Sequence, residues 1–151
     1  LVYTKVLNVR TFRTFSIKPE ELNYDHYETK KYDRDIISFI PGHEELHQNI
    51  EKITDEYSGK YLKILELGVG TGLTAERILK KIPTANYTAI DFSETMLNGA
   101  KKRLAKYNVT FKQGDYSQIP LPKNNNLVVS VIGIHHQETN EDKKILFGKI
   151  Y

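Results

Sequence analysis

Apolar residues along this chain keep two spacings, and the change from one to the other marks its elements. In LKILEL, Leu62, Ile64, Leu65 and Leu67 form a nearly unbroken apolar run, the pattern of a strand buried on both faces. The run meets Gly68, Gly70 and Gly72, and past them Leu73, Ile78, Leu79 and Ile82 recur at helical spacing until Pro83. A second strand is predicted over residues 87–90 and closes on Asp91. Ser93 then caps a helix whose inward stripe is Met96, Leu97, Ala100 and Leu104, with lysines outward near its end as the helix dipole favours. Residues 109–112 and 127–132 read as third and fourth strands, and a last helix is predicted over 141–151. Upstream, residues 44–57 place Leu46, Ile50, Ile53 and Tyr57 on one stripe ended by Ser58 and Gly59. Residues 23–41 predict a shorter amphipathic helix carrying Ile36, Ile37, Phe39 and Ile40, stopped by Pro41 and Gly42. Residues 1–17 alternate loosely and suit an extended arm or a β-ribbon, so the chain divides into an arm of unassigned role, 1–22, and a domain, 23–151.

Strands alternating with helices imply an α/β fold, a doubly wound, mainly parallel sheet with helices on both faces. Ligands of such sheets bind beyond the carboxyl ends of the strands, where the strand order reverses. Glu66, Gly68, Gly70, Asp91, Asp115 and His135 all belong to those strand ends. Glycines there permit positive φ and close approach of a ligand to the backbone, and the helix start that follows offers unpaired N–H groups. Asp91, nineteen residues after Gly72, has the spacing of an acid that accepts hydrogen bonds from a ribose. A dinucleotide fold, however, wants glycine where Leu73 stands and an apolar residue where Glu66 stands. An acid at that place suits a ligand carrying a cation, which disfavours a nicotinamide oxidoreductase.

At this point the sequence resembles the class I S-adenosylmethionine-dependent methyltransferases. Glu66 to Gly72, E-L-G-V-G-T-G, is similar to their first motif, and Asp91 to Leu97, D-F-S-E-T-M-L, to their second; the resemblance covers residues 32–151. It implies S-adenosyl-L-methionine as cofactor and methyl transfer as activity. By that resemblance Glu66 attracts the ammonium of the methionine moiety, directly or through water, the main chain at Gly68 and Gly70 receives its tail, and Asp91 accepts from both ribose hydroxyls. Phe92 lies against the adenine or packs in the core, and Asp115 accepts from the adenine amino group or simply forms a turn. Gly72, Met96, Gly114 and Tyr116 complete the implied cofactor set. Tyr32, in a Tyr-Asp pair found in segments covering the cofactor, and His135 and His136, at the end of the fourth strand, are the candidates on the catalytic side; packing is the alternative for each. A narrower likeness, in residues 32–50 with their Ile-Pro-Gly-His, in Asp91 to Met96 and in Lys149-Ile150-Tyr151, is to the carboxy-S-adenosylmethionine synthase branch, which modifies the cofactor itself.

Composition narrows this further. A chain of 151 residues with 39% hydrophobic content can bury one core, and it has no cysteine for disulfides, thiolate metal sites or a thiol nucleophile. No metal site is expected, and a reducing cytoplasm and a soluble chain suit the composition. A net charge of +3, spread over helix-face lysines, disfavours a nucleic-acid surface. The Asn/Asp-Pro-Pro-aromatic motif of amino-methylating nucleic-acid enzymes is replaced by Gly133-Ile134-His135-His136, which favours a small-molecule acceptor. The sheet of the resembled family has seven strands, so the pattern here corresponds to a domain truncated after its fourth strand. An apolar edge over 127–134 would need a cover: further residues, a second copy in a homodimer, or the arm.

Overall fold

A computed structural model describes residues 28–57 and 59–151; the arm of residues 1–22 lies outside them. The apolar run beginning at Leu62 becomes strand β1 (Lys63–Leu67), flanked by β2 (Asn86–Asp91) on one side and β4 (Leu127–Val129) on the other, with β3 (Val109–Gln113) beyond β2. All pairings are parallel, in the order β3-β2-β1-β4, with Glu66 opposite Ala89 and Val129. The order reverses between β1 and β4, which fixes where a ligand crevice opens.

Because side chains alternate along a strand, β1 feeds two cores. Ile64 on one face joins Tyr87, Ala89, Leu127 and Val129, and it is covered by α2 (His43–Asp55), α3 (Leu73–Lys81) and α4 (Glu94–Arg103) through Ile50, Ile78, Leu79, Leu97 and Ala100. Leu65 and Leu67 face the other way with Ile90 and Val128, and α5 (Asn140–Ile150) covers them with Leu146. Each fully buried side chain of this kind contributes about 1.5–3 kcal/mol. Helices on both faces make the sheet doubly wound. The N-cap of α4 is as the pattern implied, the Ser93 hydroxyl accepting from Met96 N–H.

Three expectations are corrected. Helix α1 (Thr29–Phe39) forms, yet it buries no residue; Ile37 and Phe39 are 51% and 78% exposed, and Ile36 faces a cavity instead of a core. Polar bonds hold α1 in place: the Asp33 carboxylate accepts from the Thr71 hydroxyl and pairs with the Arg103 guanidinium, whose Nε also donates to Thr71 O at 2.9 Å. In α2 the inward stripe is His43, His47, Ile50 and Thr54, sharing only Ile50 with the expected one, although Leu46 and Tyr57 pack at its margin.

The fourth strand pairs over three residues, so the long apolar edge is not formed. Ser130 Oγ donates to Leu67 O at 2.8 Å, taking a carbonyl at the end of β1, and Ile132 turns the chain at φ 55°. A single 3-10 turn, Ile134–His136, then leads to α5. Gly133 packs against the end of β1: a Cβ there would stand 2.5 Å from Ser130 Oγ and 2.9 Å from Leu67 O. Gly133→Ala should therefore lower stability by about 1–3 kcal/mol, an overpacking cost. The reading is a lower urea midpoint with unchanged slope; an unchanged midpoint would show slack in this turn.

Candidate functional site

Beyond the carboxyl ends of the strands lies a cavity of about 480 Å³. Its floor is the turn between β1 and α3. Gly68 and Val69 N–H both donate to Ile90 O, at 2.9 and 3.0 Å, so the turn is tied to the end of β2. Gly68 and Gly70 have φ of 77° and 54°, a conformation side-chain-bearing residues rarely adopt, and space is open above Gly70. Gly72, φ 85°, serves packing: a Cβ there would press on Ala100 and Leu104 at 3.3 Å.

Asp91 ends β2 against this turn and is 7% exposed on the cavity wall. Its Oδ2 accepts from Gly70 N–H at 2.8 Å and its Oδ1 from Ser93 N–H at 3.0 Å, so backbone fixes the carboxylate on the wall. Phe92, next along, is 44% exposed and also on the wall. Asp115 lines the cavity, and its Oδ1 accepts from Ser117 N–H at 2.8 Å, making the turn that was its alternative role. Tyr116 is buried and donates to Gly133 O at 2.8 Å, joining the β3 loop to the end of β4.

Of the residues singled out from sequence, Tyr32, Gly68, Gly70, Asp91, Phe92, Asp115, Tyr116 and His136 share the cavity wall; Glu66, Gly72, Met96, Gly114 and His135 do not. Met96 is a core residue, 2% exposed, and a Cβ on Gly114 would meet Ile119 at 2.9 Å. Glu66 lies behind the wall, 1% exposed, accepting from Tyr87 OH at 2.9 Å. Burial pushes its carboxyl up to about 8, aided by the nearby Asp91 and opposed by the Tyr87 hydrogen bond.

His135 and His136 touch, with ring centroids 4.0 Å apart, and only His136 faces the cavity. Desolvation lowers both pKa values, that of His135 to about 4 with help from His136 and Lys143. His135 is exposed and turns its ring to His136. Both rings are thus neutral at pH 7. A folded-state histidine pKa below the ordinary 6.5 favours the fold fully above 6.5, and the gain is lost as pH falls from 6.5 towards 4. A base role for His136 accordingly predicts a rate that is flat between pH 6.5 and 8 and falls only below that range, with His136→Ala losing about 10²-fold. A mild variant would return His136 to packing.

Sequence reasoning missed the buried pair His43 and His47, both on the cavity wall, 6% and 2% exposed, with ring centroids 4.3 Å apart. His47 Nδ1 lies 2.9 Å from His43 O, which can only accept, so Nδ1 carries the proton. Its Nε2 then accepts from Thr74 Oγ1 at 3.1 Å, and both nitrogens are committed. His43 differs: its Nδ1 is buried with no hydrogen-bond partner. The four-residue spacing of two histidines on one helix face was the signal available. Ile132, β-branched at positive φ and on the wall, holds roughly 1–3 kcal/mol of backbone strain at the site. Among the described residues no group of three or more His, Asp or Glu is placed to hold a metal ion, and no helix is long and apolar enough to cross a membrane.

Residues 64–151 match the model of a family described as "Methyltransferase domain". The malonyl-[acyl-carrier protein] O-methyltransferase of Priestia megaterium is 32% identical over 84 residues, 56% of this chain and 31% of that protein. The demethylmenaquinone methyltransferase of Chlamydia pneumoniae is 33% identical over 91 residues, 60% of this chain and 38% of that one. The chain thus spans about a third of the length of these curated relatives. The N-methyltransferase NodS of Bradyrhizobium japonicum, solved with S-adenosyl-L-homocysteine, shares the fold with a TM-score of 0.64 at 14% identity, over 80% of this chain and 64% of that one. A matched family model over more than half the chain, on a parallel sheet whose glycine turn and acid meet at the reversal of strand order, identifies this chain as a member of the methyltransferase domain family.

Proposed function

We propose that the cavity binds S-adenosyl-L-methionine and that the protein transfers its methyl group to a small-molecule acceptor. The observation that carries this reading is the meeting of the Gly68–Gly70 turn with Asp91, a backbone-fixed carboxylate beside an open glycine floor at the crevice of the sheet. The residues fit the group. Asp91 would accept from the ribose hydroxyls in a charge-assisted pair. Phe92, on the wall with Asp115, would lie against the adenine, and Gly70 leaves room for the amino-acid tail. Relatives that act on malonyl-[acyl-carrier protein] and demethylmenaquinone, and a fold neighbour solved with S-adenosyl-L-homocysteine, support cofactor and reaction class alike.

The bound sulfonium supplies an already electrophilic methyl, so the protein's share is alignment and exclusion of water. Helix α1 covers the cavity with Tyr32 and Ile36, and its Asp33 ties to Thr71 and Arg103 keep that cover against the glycine turn. His136, neutral and on the wall, is placed to take a proton from a hydroxyl or acidic carbon. The test is incubation with S-adenosylmethionine and a panel containing a malonyl thioester, a quinol and a primary amine, followed by mass spectrometry. A methylated acceptor with S-adenosylhomocysteine formed in equal amount is expected. A cofactor of altered mass with no acceptor methylated would overturn the reading in favour of cofactor modification.

A further inference from the structure

We infer that His43 is a cofactor-binding residue, a neutral hydrogen-bond donor to the carboxylate at the amino-acid end of the ligand. The inference rests on the S-adenosylmethionine reading above. That ligand carries a carboxylate, and among the described residues no lysine or arginine lines the cavity, so the described wall offers it neutral donors.

His43 is a buried side chain there with a donor to spare. Both nitrogens of His47 are committed, to His43 O and to the Thr74 hydroxyl. His43 Nδ1 is enclosed with no partner, and an N–H shut in that way would cost more than a bare lone pair, so the ring proton belongs on Nε2. No described group bonds Nε2. With Nδ1 sealed as a lone pair, the ring, 6% exposed and on the cavity wall, keeps Nε2–H without a partner among the described residues, a donor that a guest can take up.

The place agrees with the role. His43 stacks on His47, which is bonded to Thr74 in the first turn of α3, four residues past Gly70, so it stands at the glycine-turn end of the cavity. The N-terminus of α3 adds its positive dipole end to the same region. Burial, His47 and Arg77 lower the His43 pKa against the opposing Glu44 and Asp33, which keeps the ring neutral at pH 7.

The experiment compares S-adenosylmethionine with decarboxylated S-adenosylmethionine, which keeps the sulfonium and ammonium and lacks only the carboxylate. Calorimetric affinities are measured for the wild type, His43→Leu and His43→Gln. His43→Leu should bind S-adenosylmethionine roughly 10- to 100-fold more weakly, the loss of one hydrogen bond to a charged group, and bind the decarboxylated compound as the wild type does. His43→Gln, which puts an amide N–H near the Nε2 position, should recover most of the loss. Unchanged decarboxylated-ligand affinity also reports an intact site; if His43→Leu does not fold, His43→Met is measured in its place. Equal losses for both ligands, or none for either, would overturn the assignment of His43. Failure of the wild type to bind either compound would overturn the cofactor reading beneath it.

Discussion

Asp91→Ala is expected to weaken S-adenosylhomocysteine binding by about 1.5–3 kcal/mol, the cost of losing hydrogen bonds to a charged group. The carboxylate accepts from Gly70 and Ser93 N–H, so backbone holds it in place at the end of β2. Truncation therefore does two things: it removes the ribose acceptor and it frees two N–H groups, one of them in the glycine turn. The second effect should lower the melting temperature of the unliganded protein, so affinity must be measured well below the variant's own midpoint. Calorimetry on both proteins reads the loss directly. An Asp91→Ala variant that is folded and binds with wild-type affinity would remove Asp91 from the site and with it the ribose-binding reading of this turn.

Glu66→Gln is expected to stabilise the protein at alkaline pH while changing little at pH 5. The folded-state carboxyl pKa, about 8, lies above the ordinary 4.5 because burial penalises the charge. A raised carboxyl value means a contribution to stability that is whole below about 4.5 and is drained as pH rises through 8. At about 1.4 kcal/mol per pKa unit the difference sets an upper bound of about 5 kcal/mol for the gain above pH 8. Glutamine keeps an oxygen for the Tyr87 hydroxyl and cannot ionise, so the drain disappears. Urea unfolding at pH 5 and pH 9 checks the sign; equal stabilities of the two proteins at pH 9 would show that Glu66 ionises in the fold without cost. The same carboxyl, mostly protonated at pH 7, should release a proton when a cationic ligand enters the neighbouring cavity. That release appears as a binding heat that varies with the ionisation enthalpy of the buffer in the wild type and not in Glu66→Gln. A buffer-independent wild-type heat would show that Glu66 does not sense the ligand.

The sheet and its ligand turn were legible because each signal was local. The apolar run into Gly68-x-Gly70, the helical spacing past Leu73, and Asp91 at the next strand's end all lie within thirty residues, and each residue does there what its chemistry favours. What was not legible depended on partners distant in sequence or on polar residues used as core. The inward face of α2 was read from Leu46, Ile50, Ile53 and Tyr57 because hydropathy weights apolar residues. The true face includes two histidines and a threonine; the polar atoms of His47 and Thr54 are met by backbone or by Thr74, and those of the His43 ring are met by no described group. Likewise α1 is held by Asp33 and Arg103, seventy residues apart, so the apolar Ile37 and Phe39 were free to remain outside. The fourth strand stops where the Ser130 hydroxyl takes the Leu67 carbonyl, a contact that pattern along the chain does not encode.

Glu66 shows a second limit. Its place in the motif was plain, and its roles were carried over with the motif. The side chain nevertheless belongs to the face of β1 that packs on the helices, where it meets Tyr87 and not the cavity. Strand alternation settles this: Ile64 and Glu66 point to one face, Leu65 and Leu67 to the other. Since Glu66 lies behind the wall, its protonation, and not a direct contact, is the quantity to measure.

The most direct measurement of the central claim is a calorimetric titration of the protein at neutral pH with S-adenosylhomocysteine and, separately, with NAD. The account predicts saturable one-to-one binding of S-adenosylhomocysteine, lost or much weakened in Asp91→Ala, and no binding of NAD. Binding of NAD with no response to S-adenosylhomocysteine, by a protein shown to be folded, would contradict it.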